Sequence, residues 1–299
     1  MKIAIAGGNG FVGKALRTHL LDQQHEVFIL SRNAQPSTPM EGVIYVSWLN
    51  NGDQPELQLE GINAIINLAG ESLNSGRWSA ARKRSILDSR LSATKEIKRI
   101  IAALQHKPSV LLNASAVGYY GTSLEETFTE QHRMQPSDFL SDTVYQWEQE
   151  ALNSGIRTVL MRFGVILGEH EGALPRMVLP YKLYGGGTIG SGQQMLSWIH
   201  IDDVVRAALY CITTPSLTGP VNFTAPNPVN MKAFGQMIGN VLHRPHWMPV
   251  PAFMLKLLLG EMSVLILEGQ TVLPRQLLEH GFIFSYPTLD NALQEILTS

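Results

Sequence analysis

The fold is decided by the stretch KIAIAGGNGFVG, residues 2–13. Residues 2–6 are an apolar run too short for a helix and typical of a strand buried on both faces. Glycines follow at once, and after them come a helical pattern and a second apolar run at residues 27–30. This order of strand, glycine-rich turn, helix and strand predicts a dinucleotide-binding βαβ unit, because it is the context that confirms a Gly-x-x-Gly-x-x-Gly motif.

Each glycine of the motif has its own predicted role. Gly7 permits the tight exit from the strand, Gly10 lets backbone N–H groups approach a pyrophosphate, and Gly13 lets the helix pack closely on the sheet. The N-terminus of the helix adds partial positive charge beside the phosphates. A glycine-rich turn without a ligand is the alternative interpretation. The residues of this stretch predicted to contact the cofactor are Gly7, Asn9, Gly10, Phe11, Val12 and Gly13.

The end of the second strand indicates which cofactor binds. NAD sites usually offer a carboxylate there to the ribose 2′-hydroxyl, whereas NADP sites offer arginine to the 2′-phosphate. This chain has Ser31 and Arg32 and no carboxylate at that point, before a Pro-rich loop with Pro36 and Pro39. The sequence therefore favours NADP, with an ordinary surface arginine as the alternative for Arg32.

Further cofactor contacts are expected where other strands end, because ligands of open parallel sheets lie at the carboxyl ends of the strands. Residues 62–70 predict such a strand and end in a turn of small residues, Leu68-Ala69-Gly70, that would flank the adenosine half. Arg90 lies among apolar residues of a long helix and could reach the phosphates or the ribose. Ser115, at the end of a strand, and Ile166, in the run that leaves the nucleotide domain, are also predicted contacts.

Length and composition are typical of an ordinary globular protein. The 299 residues include 44% hydrophobic and 16% charged residues, and the net charge is −2. This charge balance does not indicate a basic surface that would bind nucleic acid. The nine histidines show none of the paired spacings that are typical of metal ligands. Because no cationic and apolar leader precedes the first strand, we expect a cytoplasmic protein.

The most hydrophobic late segment, residues 250–269, is interrupted by Lys256, Gly260 and Glu261. With these interruptions it fails the test for a membrane span and predicts two buried or interface helices, so we expect no membrane partner. The single cysteine, Cys211, lies in an apolar helical pattern and is expected in the core.

The patterns predict an α/β protein with a Rossmann-type doubly wound parallel sheet and a smaller, helix-rich C-terminal substrate lobe. We place the NADP-binding domain at residues 1–165 and the lobe at residues 166–299, with some segments returning to the sheet. The glycine cluster at residues 172–192 lacks a preceding strand and a following helix, so it predicts a flexible substrate-side loop rather than a second phosphate cradle. The basic run Arg82-Lys83-Arg84 predicts a solvated helix face.

Motifs along the chain occur in an order shared with a known family: Gly7-x-x-Gly10-x-x-Gly13, Asn67-Leu68-Ala69-Gly70, Ser115 with Tyr120-Gly121, and Trp198-Ile199-His200-Ile201-Asp202-Asp203. By these motifs the chain resembles the extended short-chain dehydrogenases/reductases. It resembles more closely an atypical branch, the bacterial "epimerase family" proteins. The sequence shares several signatures with that branch. They are Asn67-Leu68-Ala69-Gly70-Glu71, Val117-Gly118-Tyr119-Tyr120-Gly121, Trp147-Glu148, Gly190-Ser191-Gly192-Gln193 and, in the tail, Leu273-Pro274. The resemblance spans the whole chain and implies a fold and a nucleotide site, together with a C-terminal domain of unknown function.

The resemblance also implies a tyrosine with a lysine four residues later on one helix, the lysine lowering the pKa of the phenol for proton exchange. None of the eight tyrosines has lysine at that spacing, and the expected helix positions fall on Leu140 and Val144. Ser115 matches the family serine that hydrogen-bonds the substrate, with a satisfied hydroxyl as the alternative. Tyr119 and Tyr120 are the phenols nearest the expected nicotinamide position, although a buried, hydrogen-bonded tyrosine is as common. The catalytic candidates are therefore Ser115, Tyr119 and Tyr120.

Two hypotheses of function remain open. The first is an NADP-dependent oxidoreductase or epimerase acting on a small carbonyl, alcohol or sugar-derived substrate. The second, favoured by the missing Tyr–Lys pair, is a non-catalytic NADP-binding redox sensor or interaction protein. His200 is expected to fix the loop that follows it rather than to catalyse, and Glu71 and Arg77 are expected at the surface or against a substrate. A homodimer is a possible assembly.

Overall fold

A computed structural model describes residues 1–33 and 39–298; Pro36 of the expected Pro-rich loop lies outside them. The strands of the described chain are, in order, β1 (Lys2–Ala6), β2 (Glu26–Ser31), β3 (Val43–Ser47), β4 (Ala64–Asn67), β5 (Val110–Ala116), β6 (Thr127–Phe128), β7 (Thr158–Phe163), β8 (Val165–Leu167), β9 (Met195–Leu196), β10 (Trp198–His200), β11 (Gly219–Phe223), β12 (Val229–Asn230) and β13 (Thr271–Val272). Its helices are α1 (Phe11–Asp22), α2 (Ala80–Ala103), α3 (Phe139–Leu152), α4 (Leu174–Lys182), α5 (Ile201–Thr213), α6 (Met231–Val241), α7 (Ala252–Leu259), α8 (Val264–Leu267), α9 (Arg275–Glu279) and α10 (Leu289–Thr298). Short 3-10 turns occupy Pro55–Leu57, Val117–Tyr120 and Gly260–Ser263.

A seven-stranded parallel sheet runs through the described chain in the order β11-β7-β5-β4-β1-β2-β3. The winding direction reverses between β1 and β4, which is the switch point where ligands of such sheets bind. The predicted α/β class with a Rossmann-type doubly wound sheet is confirmed. β11 returns from the C-terminal part of the chain and pairs with β7, with Val221 opposite Met161.

Helices cover both faces of the sheet, so the strands are buried from two sides. Ile3 and Ile5 of β1 belong to the core beneath α1 and α5, whereas Ala4 and Ala6 belong to the core beneath α2. This alternation follows from the two-residue period of a strand. Cys211 is buried in the first of these cores, as expected.

A separate core holds α4, α6 and α10 together in a helix-rich C-terminal lobe. The prediction of a flexible loop over residues 172–192 is wrong for residues 174–182, which form α4. Leu174, Val178 and Tyr181 recur there at helical spacing and are buried. Burial of this helix face outweighs the glycines and prolines around it.

The basic start of α2 is not the solvated face that its charges predict. Nη1 of Arg82 lies 2.7 Å from a carboxylate oxygen of Glu71, and Lys83 forms an ion pair with Glu261. Arg84 alone of the three is exposed. Both carboxylates come from outside the helix, so spacing within the helix does not reveal them.

The two helices predicted in residues 250–269 are confirmed as α7 and α8. Neither helix contains a buried residue, so the expectation of buried helices is wrong. The alternative expectation, that these helices form an interface, remains.

Glu130 is a buried carboxylate that joins β11 to α9. Its Oε1 accepts hydrogen bonds from the backbone N–H groups of Asn222 at 2.9 Å and Gln276 at 3.2 Å, whereas Oε2 has no partner in the described chain. Burial raises the pKa of Glu130 above its usual 4.5, although the backbone hydrogen bonds and the charge of Arg162 act in the opposite direction. The folded protein therefore holds a proton on Glu130 more tightly than the unfolded chain does.

Glu130→Gln should gain stability relative to the unmodified protein as the pH rises from about 4 to about 8. The stability that protonated Glu130 contributes is present below its unfolded pKa and is lost as the pH rises through its higher folded pKa. Glutamine keeps the acceptor oxygen and stays neutral throughout. Thermal unfolding midpoints across this range measure the effect, with the exposed Glu126→Gln as the matched control. A midpoint difference that does not change with pH would contradict the prediction.

Candidate functional site

The glycine-rich turn after β1 lies directly against the turn after β4. Gly7 has a φ of +79°, and a Cβ built there would lie 2.8 Å from the carbonyl carbon of Leu68. Only glycine satisfies both the backbone conformation and this close approach. The contact brings Leu68 and Ala69, which were predicted to flank the cofactor, beside the glycine motif.

Gly13 allows close packing, although against the turn rather than against the sheet as predicted. A Cβ there would lie 2.6 Å from Cα of Gly8 and collide with the Gly7 carbonyl oxygen. Sequence reasoning gave no role to Gly8, whose Cβ would collide with the Ile29 side chain. The first helix is therefore seated on the turn itself.

Gly10 is the open position of the turn. A Cβ there would meet only the Gly7 carbonyl oxygen, at 3.4 Å. The Lys14 N–H donates to the Gly10 carbonyl, which leaves the earlier N–H groups of α1 without intrahelical acceptors. A cradle closed by Gly7 and Gly13 and open above Gly10 fits an approaching pyrophosphate.

The other predicted residues of this stretch support the turn from its sides. The ring of Phe11 lies against Gly168 and Gly172, where built Cβ atoms would come within 2.5 and 2.9 Å of it. Asn9 accepts a hydrogen bond from Arg17 at 2.9 Å, and Val12 packs on the core. Phe11 thus contacts the segment that follows β8. The predicted cofactor contact Ile166 lies within β8, opposite Ile199 of β10.

Arg32 is exposed at the end of β2, and its guanidinium has no partner within residues 1–33 and 39–298. Its carbonyl oxygen accepts a hydrogen bond from Nδ2 of Asn50 at 3.0 Å. Asp53 holds that turn by accepting from the Asn50 N–H and the Ser47 hydroxyl, each at 2.9 Å. Ser31 accepts from the Asn33 N–H. These hydrogen bonds fix the backbone on which Arg32 stands.

A buried amide network, missed in the sequence, shapes the turn after β4. Nδ2 of Asn67 donates to Oδ1 of Asn113 at 2.7 Å and to the Thr94 hydroxyl at 3.2 Å. Oδ1 of Asn67 accepts from the Ala69 N–H, and Trp147 also donates to Thr94. Uncharged polar residues inside apolar strands were the available signal, since buried amides require partners.

Arg90 of α2 lies against this turn, and its predicted contact with the cofactor stays a prediction. A Cβ at Gly70 would lie 3.2 Å from its side chain, and its Nη1 donates to the carbonyl oxygens of Glu71 and Ile86. Its guanidinium also lies 5.1 Å from the ring centre of Trp147. Burial lowers the pKa of Arg90 to about 10, with Glu71 acting in the opposite direction, so the group stays charged at neutral pH.

Ser115 takes part in a buried charge cluster at the carboxyl end of β5. Its hydroxyl donates to Oε1 of Glu148 at 2.5 Å, and Arg162 donates to both carboxylate oxygens of Glu148 at 2.8 and 2.7 Å. All three side chains are buried. Burial opposes the charge of Arg162, but the hydrogen bonds and charge of Glu148 outweigh it and raise the pKa of Arg162.

The two candidate tyrosines lie beside this cluster in different environments. Tyr120 is 1% exposed; its hydroxyl donates to Asn222 and accepts from Arg162, both at 2.9 Å. Burial raises its pKa to about 12. The Tyr119 ring centre is 3.4 Å from the guanidinium carbon of Arg162, and its hydroxyl has no partner in the described residues. Tyr119 is half-buried.

Glu148 and Arg162 were not recognised as site residues from the sequence. Glu148 appeared there only within a family signature. Charged residues inside a buried strand and an apolar helix stripe signal a paired site. In the part of α3 expected to carry the Tyr–Lys pair, Val144 is buried and Leu140 half-buried.

Other candidates lie away from this cluster. His200 is buried and caps α5, its Nδ1 accepting from the Asp202 N–H while its Nε2 contacts Glu295, so its expected structural role is confirmed. Arg77 donates to the carbonyl oxygens of Leu257 and Leu258, each at 3.0 Å. The described residues contain no cluster of three or more metal-ligating side chains.

Comparison with known proteins agrees with this geometry. Residues 3–223 match the NAD-dependent epimerase/dehydratase family, and residues 250–296 match a domain of unknown function, DUF1731. The chain is 51% identical to "Epimerase family protein YfhF" of Bacillus subtilis, covering 99% of this chain and 98% of that protein. The human epimerase family protein SDR39U1, solved with NADPH, is 32% identical, with a TM-score of 0.89 and complete coverage of both chains. UDP-glucose 4-epimerase of Thermus thermophilus, solved with NAD, shares the fold at 16% identity, a TM-score of 0.77 and coverage of 99% and 97%.

Gly10→Ala and Gly13→Ala should separate nucleotide binding from stability. Alanine at Gly13 overpacks the turn and should cost about 1–3 kcal/mol of unfolding free energy. Alanine at Gly10 should cost less than about 1 kcal/mol, because its surroundings are open, yet weaken NADPH binding. Urea unfolding and fluorescence titration with NADPH measure the two effects. Unchanged NADPH affinity in Gly10→Ala would show that the phosphates do not lie above Gly10.

Proposed function

The chain belongs to the NAD-dependent epimerase/dehydratase family, and we propose that it is an NADP-dependent oxidoreductase or epimerase of a small carbonyl, alcohol or sugar-derived substrate. The family is NAD(P)-dependent. The observation that carries the proposal is the position of Ser115 and Tyr119 beside the buried Glu148–Arg162 pair, at the sheet edge that also bears the glycine cradle.

The choice of NADP is supported by the charge at the end of β2. The Arg32 guanidinium has no partner within residues 1–33 and 39–298, and the nearby carboxylate of Asp53 is engaged by Ser47 and Asn50. A 2′-phosphate can therefore meet a cation without meeting a free carboxylate. The human relative was solved with NADPH, which favours the same cofactor.

The groups that would hold the nucleotide are the first-turn N–H groups of α1, the turn at residues 68–70, Arg90 and Arg32. The bound cofactor would supply the hydride chemistry. What remains for the chain is to position the substrate and to move one proton at the reacting oxygen.

We assign that proton to the hydroxyl of Tyr119. Ser115 donates its only proton to Glu148, so towards a substrate it can only accept, as from an alcohol. The Tyr119 hydroxyl has no partner among the described residues, whereas that of Tyr120 is buried and fully engaged. Glu148 and Arg162 are positioning residues, because they reach the substrate only through Ser115 and Tyr119.

Arg32→Ala should weaken NADPH binding at least about tenfold and change NADH binding by less than about twofold. Charge-assisted hydrogen bonds to the 2′-phosphate are worth about 1.5–3 kcal/mol, and NADH lacks that group. Fluorescence titration with both coenzymes measures the difference, and the exposed Arg84→Ala is the control. Equal losses for both coenzymes would remove the argument for NADP.

Tyr119→Phe should lower kcat at least about 100-fold while leaving NADPH affinity and thermal stability unchanged, because it removes only the proton-carrying group. The assay follows NADPH absorbance over a panel of carbonyls and nucleotide sugars, with Gly10→Ala as background and exposed Tyr145→Phe as the matched control. Turnover preserved in Tyr119→Phe would place the proton elsewhere.

A non-catalytic NADP sensor is the second candidate. It is favoured by the absence of a Tyr–Lys pair in the sequence and by the satisfied hydroxyl of Ser115. Thermal stability and assembly state are compared with NADP⁺ and with NADPH. A redox-dependent change in partner binding without turnover would support this candidate, and turnover of a purified small molecule would dismiss it.

A further inference from the structure

Helix α7 presents large apolar side chains to solvent. Phe253 is 70% exposed, Leu257 79% and Leu258 69%. Globular proteins rarely expose contiguous apolar patches of this kind unless the patch binds something. The structure therefore leaves a binding surface here that the nucleotide site does not use.

The surface extends to the residues that precede α7. Leu183 and Tyr184, after α4, are exposed, and Nε1 of Trp247 donates to the Tyr184 carbonyl oxygen at 2.9 Å. The guanidinium of Arg244 lies 4.4 Å from the Tyr184 ring centre. Hydrogen bonds between Val250 and residues 188–190 then lead the chain into α7. We call this surface the apolar face; its residues are Leu183, Tyr184, Trp247, Phe253, Leu257 and Leu258.

The segment of sequence that contains the apolar face is rich in basic residues, and Glu261, the acidic residue directly after it, is paired with Lys83. Residues 172–260 contain six Lys and Arg but only two acidic residues, whereas the rest of the chain has seventeen and twenty-three. One of the two acidic residues, Asp203, is fully buried. Arg244 adjoins Tyr184, and exposed Lys256 lies on α7 itself.

We propose that the apolar face docks on an anionic lipid surface, with α7 lying in the plane of the interface. Apolar side chains beside basic ones, with a tryptophan at the edge, are the features by which interfacial segments bind such surfaces. A second copy of the chain fits less well, because a twofold interface would bring the same positive charges together.

The proposal departs from the expectation of no membrane partner, which rested on the failed test for a span. No helix in the described part of the chain is long and apolar enough to cross a membrane. Binding in the interface requires no such helix.

Tryptophan fluorescence gives a direct test, because Trp48, Trp147 and Trp198 are buried and Trp78 is half-buried, whereas Trp247 is exposed. The full chain is titrated with phosphatidylglycerol vesicles and with phosphatidylcholine vesicles. We expect co-sedimentation and a blue-shifted emission with phosphatidylglycerol only, both lost at 1 M salt, where screening acts within about 3 Å. Trp247→Phe should abolish the shift and keep the co-sedimentation.

Surface variants separate the two contributions. Phe253→Ser with Leu257→Ser should weaken vesicle binding at least about tenfold, whereas Leu57→Ser, at an equally exposed leucine elsewhere, should not. Lys256→Glu should weaken it about tenfold and exposed Lys107→Glu should not. Circular dichroism melting confirms that each variant folds.

Three outcomes would overturn the proposal. The first is that the protein does not bind phosphatidylglycerol vesicles, and the second is that it binds them no better than phosphatidylcholine vesicles. The third is that the control variants lose vesicle binding as much as the variants of the apolar face do. Sedimentation equilibrium adds a further outcome: self-association abolished by the Phe253 and Leu257 changes, without vesicle binding, would assign the apolar face to a second copy.

Discussion

The buried ion pair between Glu148 and Arg162 is the interaction on which the rest of the site depends. Removing two charges from water costs several kcal/mol for each ion, and only good geometry with further hydrogen bonds offsets this. Here two N–H···O bonds, one hydrogen bond from Ser115 and one to Tyr120 supply that geometry. The pair therefore holds α3 against β5 and β7. It also fixes the positions of Ser115, which donates to Glu148, and of Tyr119, whose ring packs on Arg162.

The charged and phenolic groups of the cluster lie on different elements from those that the resemblance to the wider family implies. In that pattern a phenol and a cation lie four residues apart on one helix. In this chain the phenols follow β5, the cation comes from β7, and the helix contributes the carboxylate that neutralises it. Arg162 then acts on the phenols through its hydrogen bond to Tyr120 and its contact with the Tyr119 ring, rather than as an isolated charge. The same fold thus holds its phenols, cation and carboxylate on three different elements.

The sequence predicted those features that are determined by neighbouring residues, and it missed those that are determined by packing between distant segments. The strand, glycine-rich turn and helix that open the chain follow from neighbours within one βαβ unit, so pattern and spacing were sufficient to predict them. Glu148 and Arg162 are brought together only when α3 packs on the sheet, and the pair of Lys83 with Glu261 spans most of the chain. Their burial could be suspected from apolar neighbours, but the identity of each partner depended on topology. Helix α4 was missed because glycine and proline signals are local, whereas the burial that outweighs them is not.

The domain of unknown function is joined to the segment that follows β4. That segment continues through Glu71, which pairs with Arg82, to Arg77, which binds two carbonyl oxygens at the end of α7. A guanidinium at this position satisfies carbonyl groups that a helix leaves without partners and complements the negative end of its dipole. Any displacement of α7 must break these hydrogen bonds or carry the segment with it. The position of α7 and the segment after β4 are therefore coupled through the side chain of Arg77.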